Sequence, residues 1–289
     1  SLGDGGAIVV KAIAGGGGRG MRIVTDPAEL ASAYKRARSE AGAAFGNDAV
    51  YVERLIPRAR HIEVQIIGDA TGAISHLGER ECSVQRRHQK VVEIAPSPNL
   101  TQPQRDALTA AALKLASAAN YSSLGTVEFL VDEESPDNFS FIEANARLQV
   151  EHTITEEVTS VDLVRLQIEL AAGRSLDDIG VPRRHPNPRG VAIQARVNME
   201  TMRADGATVP SGGLISVFEP ATGPGIRVDT FGYAGYTTSP RYDSLLAKLI
   251  VHTPSPSFHD ALARTYRALC EFRIEGVQTN VPFLQALVR

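Results

Sequence analysis

Directly after the apolar run 139–142 the chain reads Glu-Ala-Asn-Ala-Arg-Leu-Gln-Val-Glu-His, residues 143–152. In an extended strand successive side chains point to opposite faces, so Glu143, Asn145, Arg147, Gln149 and Glu151 would share one face. A strand gains nothing by showing such a set to plain solvent. A strand that grips a metal ion and an oxyanion needs it, because hard cations take carboxylate and carbonyl oxygens and a guanidinium fork matches carboxylate or phosphate. The segment predicts a strand whose polar face belongs to an enzyme site.

At 289 residues, 43% hydrophobic and 22% charged, the chain can bury a sizeable core and has the length of two domains. A net charge of -3 supplies no basic field for nucleic acid. No apolar run approaches the roughly 18 residues of a membrane helix, and no secretory pattern opens the chain. Cys82 and Cys270 lie too far apart in sequence to read as a metal-ligand pair or a disulfide framework. A reducing, cytoplasmic setting is expected, or the mitochondrial matrix if the source is eukaryotic.

Residues 7–13 read as a strand and 14–20 as a glycine-rich loop; Asp26-Pro27 then opens a helix to about residue 44. Strands are expected at 50–53 and 61–67, with a turn over 68–72 before another at 73–77. A second helix should run from about 101 to 119. Neighbouring strands follow at 125–131 and 139–144, then a third helix over 160–172. The proline-rich stretch 182–188 reads as a linker. Beyond it come short strands at 191–198, 213–219, 223–229 and 233–238, and a final helix at 259–272.

Four segments carry chemistry. Lys11 precedes Gly15, Gly16, Gly17 and Gly18, with Arg19 and Arg22 after them. Glycines let backbone N–H groups approach phosphate oxygens, and the flanking cations offset phosphate charge. Because the lysine leads rather than ends the loop, this is not a Walker A sequence. The run 81–90, Glu-Cys-Ser-Val-Gln-Arg-Arg-His-Gln-Lys, is dense enough in cations to bind an anion, though alone it could be a solvated basic loop. Glu128 on one strand with Glu143 and Asn145 on the next makes a Mg2+ cradle in which the ion also binds substrate phosphates. Arg196 and Asn198 lie on a strand after the linker.

Taken in order, KAIAGGGGRGMR, ECSVQRRHQKVVE, GTVEFL and FIEANARLQVEH resemble the biotin carboxylase component of biotin-dependent carboxylases, an ATP-grasp family. The likeness continues through ARVN, AGY, YDSLLAKLI and GVQTNVPFL, so it covers essentially the whole chain. It implies an α+β fold: an ATP-grasp lid (1–55) and core (56–180) of mixed and antiparallel sheet with helices, a linker (181–188) and a C-terminal domain (189–289). It also implies ATP-dependent carboxylation of carrier-bound biotin by bicarbonate, through carboxyphosphate, with Mg2+ (or Mn2+) as the metal.

By motif, Lys11 and Gly15 to Gly18 would hold the ATP phosphates, and Glu53 would receive the adenine amino group with Ile56 and His61 close by. Gln85 and His88 would lie near the phosphates or ribose. Glu128, Glu143 and Asn145 would hold the metal. Lys90, Arg147, Gln149 and the backbone of Val150 would hold bicarbonate, Glu151 would deprotonate it, and Arg196 would stabilise the biotin enolate. A biotin carboxyl carrier domain, a carboxyltransferase and a homo-oligomeric full-length protein are the implied partners, an acyl-CoA carboxylase being the expected parent on frequency.

Two departures stand out. Ala146 replaces the family's usual threonine or proline. No residues here correspond to the family's N-terminal domain, so the isolated chain is expected to have little or no activity. Two alternatives remain beside this expectation: another ATP-grasp ligase, against which the RRHQK, RLQVEH and YDSLLAK segments together argue, and a non-catalytic scaffold within a carboxylase complex.

Overall fold

The computed structural model describes residues 6–15, 20–181, 188–203 and 205–289. Gly16, Gly17, Gly18, Arg19 and residues 182–187 of the expected linker lie outside the described residues. A small antiparallel sheet opens the chain, ordered β2-β1-β3, from β1 (Ile8–Ala12), β2 (Met21–Val24) and β3 (Val50–Arg54). Helix α1 (Leu30–Phe45) covers it, burying Ala33, Ala37 and Ala41 at four-residue spacing. Asp26 accepts a hydrogen bond from Ala28 N at 2.8 Å and Pro27 starts the first turn, as the sequence pattern predicts. Gly20, at φ 73°, returns the glycine loop to β2; a side chain there would press to 2.8 Å on Ala12 Cβ.

The main body is one antiparallel sheet of eight strands. It contains β4 (Ala59–Gly68), β5 (Ile74–Arg86), β6 (Gln89–Ala95), β7 (Ser123–Asp132), β8 (Phe139–Asn145) and β9 (Val191–Asn198). After the short pairs β10 (Glu200–Met202) with β11 (Thr208–Pro210), and β12 (Val217–Glu219) with the later β15 (Arg273–Glu275), β13 (Ile226–Thr230) and β14 (Leu245–Thr253) complete it. The order is β13-β14-β9-β6-β5-β4-β7-β8, so β6 and β9 join strands from either side of the proline stretch.

Alternation gives this sheet two unlike faces. On one, Ile62, Val64, Val127 and Phe129 pack under Leu108, Ala112 and Ala116 of α2 (Gln102–Ala118). Further along, Ile94, Ile193, Ala195 and Val197 pack with Ala261, Ala268 and Leu269 of α5 (Phe258–Glu271) and Leu284 of α6 (Val281–Leu287). The opposite face carries Glu63 level with Arg80 and Glu128, Glu128 level with Glu143, and Glu93 level with Gln194. Helix α3 (His152–Thr159) lies on that face, seating Ile154 and Val158 against Ala95, Ala192 and Ile250; α4 (Leu163–Ala171) follows it. No described helix is long and apolar enough to cross a membrane.

Three expectations change, and one strand was not expected. The strand expected to carry the alternation to Glu151 stops at Asn145, where the edge strand leaves its only neighbour, β7. Residues 149–154 turn instead, with His152 N donating to Gln149 O and Ile154 N to Glu151 O, both at 3.3 Å. The helix expected over 160–172 is α4, which starts at Leu163 where Asp162 caps it by accepting from Arg165 N at 2.8 Å; an unexpected helix, α3, precedes it and ends at Ser160, at φ 59°. The stretch 233–238 makes only an isolated bridge, Leu214 to Thr237. Finally, β14 escapes a pattern search because it is mostly buried on both faces and reads as a continuous apolar run.

A buried carboxylate fastens the β4–β5 turn to the segment after α4. Asp69 accepts from Thr71 N (2.8 Å), Thr71 Oγ1 (2.6 Å), Ala73 N (3.1 Å) and Leu176 N (2.8 Å). Burial opposes its ionisation, but these donors outweigh that and hold its pKa down at about 2. Its stabilising effect is therefore complete above the ordinary aspartate pKa of about 4 and is lost as pH falls through about 2. Asp69→Ala should cost about 2–3 kcal/mol at neutral pH in urea unfolding, and the difference from wild type should shrink below about pH 3.

Candidate active site

The polar face has its centre at Lys90, the second residue of β6 just beyond the β5–β6 hairpin. Lys90 Nζ donates to Glu63 Oε2 at 2.5 Å, Glu151 Oε1 at 2.6 Å and Glu128 Oε1 at 3.2 Å. These carboxylates come from β4, the turn before α3, and β7. Burial disfavours the ammonium, but the surrounding carboxylates, Glu63 foremost, raise the lysine pKa and keep it charged.

Beneath this cluster Arg80 is fully buried. Its Nε donates to Glu63, Nη1 to Gln65 Oε1 (2.8 Å) and Thr155 Oγ1 (2.9 Å), and Nη2 to Thr126 Oγ1 (3.2 Å) and Gln149 Oε1 (3.5 Å). One guanidinium thus ties β4, β5, β7, α3 and the turn between β8 and α3. Burial pushes Glu63 towards its neutral form, but Arg80 and Lys90 outweigh it and lower its pKa.

Glu128 can serve as a hard oxygen donor. Burial works against its charge, yet His61, Lys90 and Gln149 hold its pKa down at about 2. Asn145 Nδ2 bridges it to Glu143, at 2.9 Å from Glu128 Oε1 and 3.0 Å from Glu143 Oε1. Glu128 is buried while Glu143 is exposed, so the pair spans the rim of the cleft. Two carboxylates with access to solvent suit an octahedral Mg2+ that keeps several waters and binds phosphates, and Asn145, whose amide oxygen here accepts from Arg147, would add that oxygen by turning its amide over. His61, Glu63 and Glu128 also bring ligand atoms within 4.8 Å of one another. The cation this structure sets beside Glu63 and Glu128 is the Lys90 ammonium.

Arg196, on β9 beside β6, reaches the same place on the same face of the sheet. Its Nη2 donates to Glu151 Oε2 at 3.1 Å and its Nε to Glu93 Oε1 at 2.5 Å. Glu151 therefore lies between an ammonium and a guanidinium. Val150, next to it, accepts from Lys248 Nζ through its carbonyl at 3.2 Å.

The remaining expected residues fall into two groups. His61 joins the cluster, its Nε2 2.5 Å from Glu128 Oε2 and its Nδ1 2.7 Å from Gln85 Nε2. Gln149 joins through its Nε2, which donates to Glu128 Oε1 at 2.8 Å. Lys11 and Glu53 instead bond each other, Nζ to Oε2 at 2.8 Å; burial opposes the Lys11 charge and Glu53 outweighs it, raising the pKa. Ile56 lies in the connection from β3 to β4, and His88 is exposed on the hairpin turn at φ 65°. Gly15 N bonds Ala12 O at 3.2 Å. Arg147 is exposed and donates to Asn145 Oδ1 (3.3 Å) and Leu148 O (3.2 Å), not to the Lys90 cluster.

Glu63, Arg80, Glu93 and Lys248 belong to this network and were not among the expected site residues. Glu63 had a signal: His61, Glu63 and Gln65 alternate with Ile62, Val64 and Ile66. The others are single polar residues whose partners only the strand register reveals.

Residues 5–179 match the family model described as Carbamoyl-phosphate synthase L chain, ATP binding domain, and residues 194–289 match Biotin carboxylase C-terminal domain. The chain belongs to the biotin carboxylase family of ATP-grasp enzymes. A pyruvate carboxylase of Aspergillus niger is 49% identical over 282 residues, 97% of this chain and 23% of that protein. The biotin carboxylase–beta-gamma-ATP complex of Campylobacter jejuni superposes with a TM-score of 0.91 at 39% identity, covering 97% of this chain and 60% of that one. The 2-oxoglutarate carboxylase biotin carboxylase domain dimer of Hydrogenobacter thermophilus, in complex with MgADP, ADP and bicarbonate, gives 0.89 at 43% identity, covering 97% and 60%. The chain thus spans about a quarter of the length of such curated relatives. The α+β, ATP-grasp architecture of the biotin carboxylase family is borne out by these superpositions.

Proposed function

We propose that this chain supplies the lid (1–55), core (56–180) and C-terminal domain (189–289) of an enzyme that uses ATP and bicarbonate to carboxylate biotin on a carrier domain. The observation that carries the reading is Glu151, held between Lys90 and Arg196 beside the Glu128–Glu143–Asn145 cradle. Bicarbonate is a weak nucleophile, so it must be positioned in line with the γ-phosphorus while its proton is removed. Lys90 and Gln149 orient it, with Arg147 swinging in from the rim, and Glu151 accepts the proton. A bicarbonate oxygen bonds to phosphorus as the bond to ADP breaks, leaving carboxyphosphate. Biotin N1′ then passes its proton to the departing phosphate and bonds to the carboxyl carbon as the C–O bond to that phosphate breaks, while Arg196 faces the negative ureido oxygen.

Glu128, Glu143 and Asn145 would hold Mg2+, which would neutralise phosphate charge when bound. Lys11 and the glycines 15–18 serve the phosphates, and Glu53, Ile56, His61, Gln85 and His88 serve the nucleoside and phosphates. The carrier domain, a carboxyltransferase and a second copy of the protein are the proposed partners. For the final acceptor, the pyruvate carboxylase relatives favour pyruvate over the acyl-CoA expected on frequency. The test is steady-state ADP release by the protein expressed from its full natural gene. Release that requires both bicarbonate and free biotin supports the reading; release indifferent to biotin contradicts it.

A further inference from the structure

Glu93 is a fully buried carboxyl group that the proposed reaction leaves without a task. Burying a carboxylate is costly even when it is paired, and an apolar residue could fill the same strand position. Its contacts point to one purpose. Glu93 Oε1 accepts from Arg196 Nε at 2.5 Å, and its Oε2 accepts from Gln194 Nε2 at 2.9 Å. Gln194 Oε1 accepts in turn from Thr153 Oγ1 at 2.5 Å, in the first turn of the helix that begins directly after Glu151. The circuit closes where Arg196 Nη2 meets Glu151 Oε2 at 3.1 Å.

A guanidinium offers separate edges to its partners. Here the Nε edge is taken by Glu93 and the Nη end is left towards Glu151 and the cleft. Without Glu93, Glu151 would be the one carboxylate still paired with Arg196 among the described residues. With its Nε edge released, the guanidinium would be held at its Nη end alone and would lose its fixed direction towards the cleft. Being buried, Glu93 acts through Arg196 rather than on a substrate.

We infer that Glu93 is a positioning residue that anchors Arg196 by its Nε edge, fixing its Nη end beside Glu151 and aiming the guanidinium at biotin. The inference rests on the proposed biotin carboxylation. Arg196 and Gln194 face Glu93 from β9, Cys82 from β5, and Glu151 and Thr153 from the start of α3. Burial pushes the Glu93 pKa up to about 7, with Arg196 opposing and Glu151 adding to it. Protonation below that pH weakens the anchor, so kcat/KM for biotin falls on the acid side.

The test is Glu93→Gln in the protein expressed from its full natural gene, with free biotin as substrate. The expected result is a fall of about 10²-fold in kcat/KM for biotin. KM for ATP should change far less, and the acid limb near pH 7 should disappear. Glu93→Asp, which keeps the charge, should recover part of the rate together with the limb. An unchanged kcat/KM for biotin overturns the inference, as does an equal fall for ATP, bicarbonate and biotin. Wild type that does not respond to biotin defeats the functional reading instead. A crystal structure of Glu93→Gln then still decides the anchoring: Arg196 should leave its wild-type position, and an unmoved Arg196 overturns it.

Discussion

Replacing Glu151 by glutamine is expected to slow biotin- and bicarbonate-dependent ATP hydrolysis by about 10²–10⁴-fold, the usual worth of a general base. Glutamine keeps the shape, but its one carbonyl oxygen can replace only one of the two oxygens that accept from Lys90 and Arg196, and it cannot take a proton from bicarbonate. Lys90 retains Glu63 and Glu128, and Arg196 retains Glu93. The fold should therefore survive, and a melting curve close to wild type is part of the expected result. A scaffold protein would show no kinetic loss, so the substitution separates that alternative from an enzyme.

The largest effect on stability is expected at Arg80. Removing its guanidinium leaves the buried Glu63 without one of its two cations, and strips donors from Gln65, Gln149, Thr126 and Thr155. Breaking one side of a buried ion pair costs about 3–5 kcal/mol, chiefly through the charge left behind. Arg80→Met should lower the urea midpoint accordingly. Arg80→Lys should fall between the two, because an ammonium can meet Glu63 but cannot fork to Gln149 and Thr155 together. Equal stability of Arg80→Met and wild type would show that the hub carries no net energy.

Much of the fold was legible wherever burial is one-sided. Strands β4, β7 and β8 and helices α1, α2 and α5 show their periods in the residue pattern, from Asp26, which caps the short 3-10 turn leading into α1, to the alternation of Ile62, Val64 and Ile66. β14 was not legible, because a strand covered on both faces has no alternation. The polar run after Ile142 is not a continuous strand, and it brings Asn145, Gln149 and Glu151 to Glu128 or Lys90 while Arg147 stays exposed at the rim. Leaving β8 after Asn145 is what lets Gln149 and Glu151 turn over the sheet face to meet Glu128 and Lys90. Glu93 and Arg196 are 103 residues apart, and Arg86 and Glu200, paired at 2.6 and 2.7 Å, are 114 apart. Such pairs depend on strand register, which single-chain patterns do not specify.

The most direct measurement is transfer of isotopic label from bicarbonate to biotin, followed with ATP and Mg2+ in the protein expressed from its full natural gene. The site built around Lys90, Glu151 and Arg196 predicts ATP-dependent appearance of label on biotin, abolished by Glu151→Gln. Label transfer at the wild-type rate in Glu151→Gln, or ATP hydrolysis that never labels biotin, would contradict it.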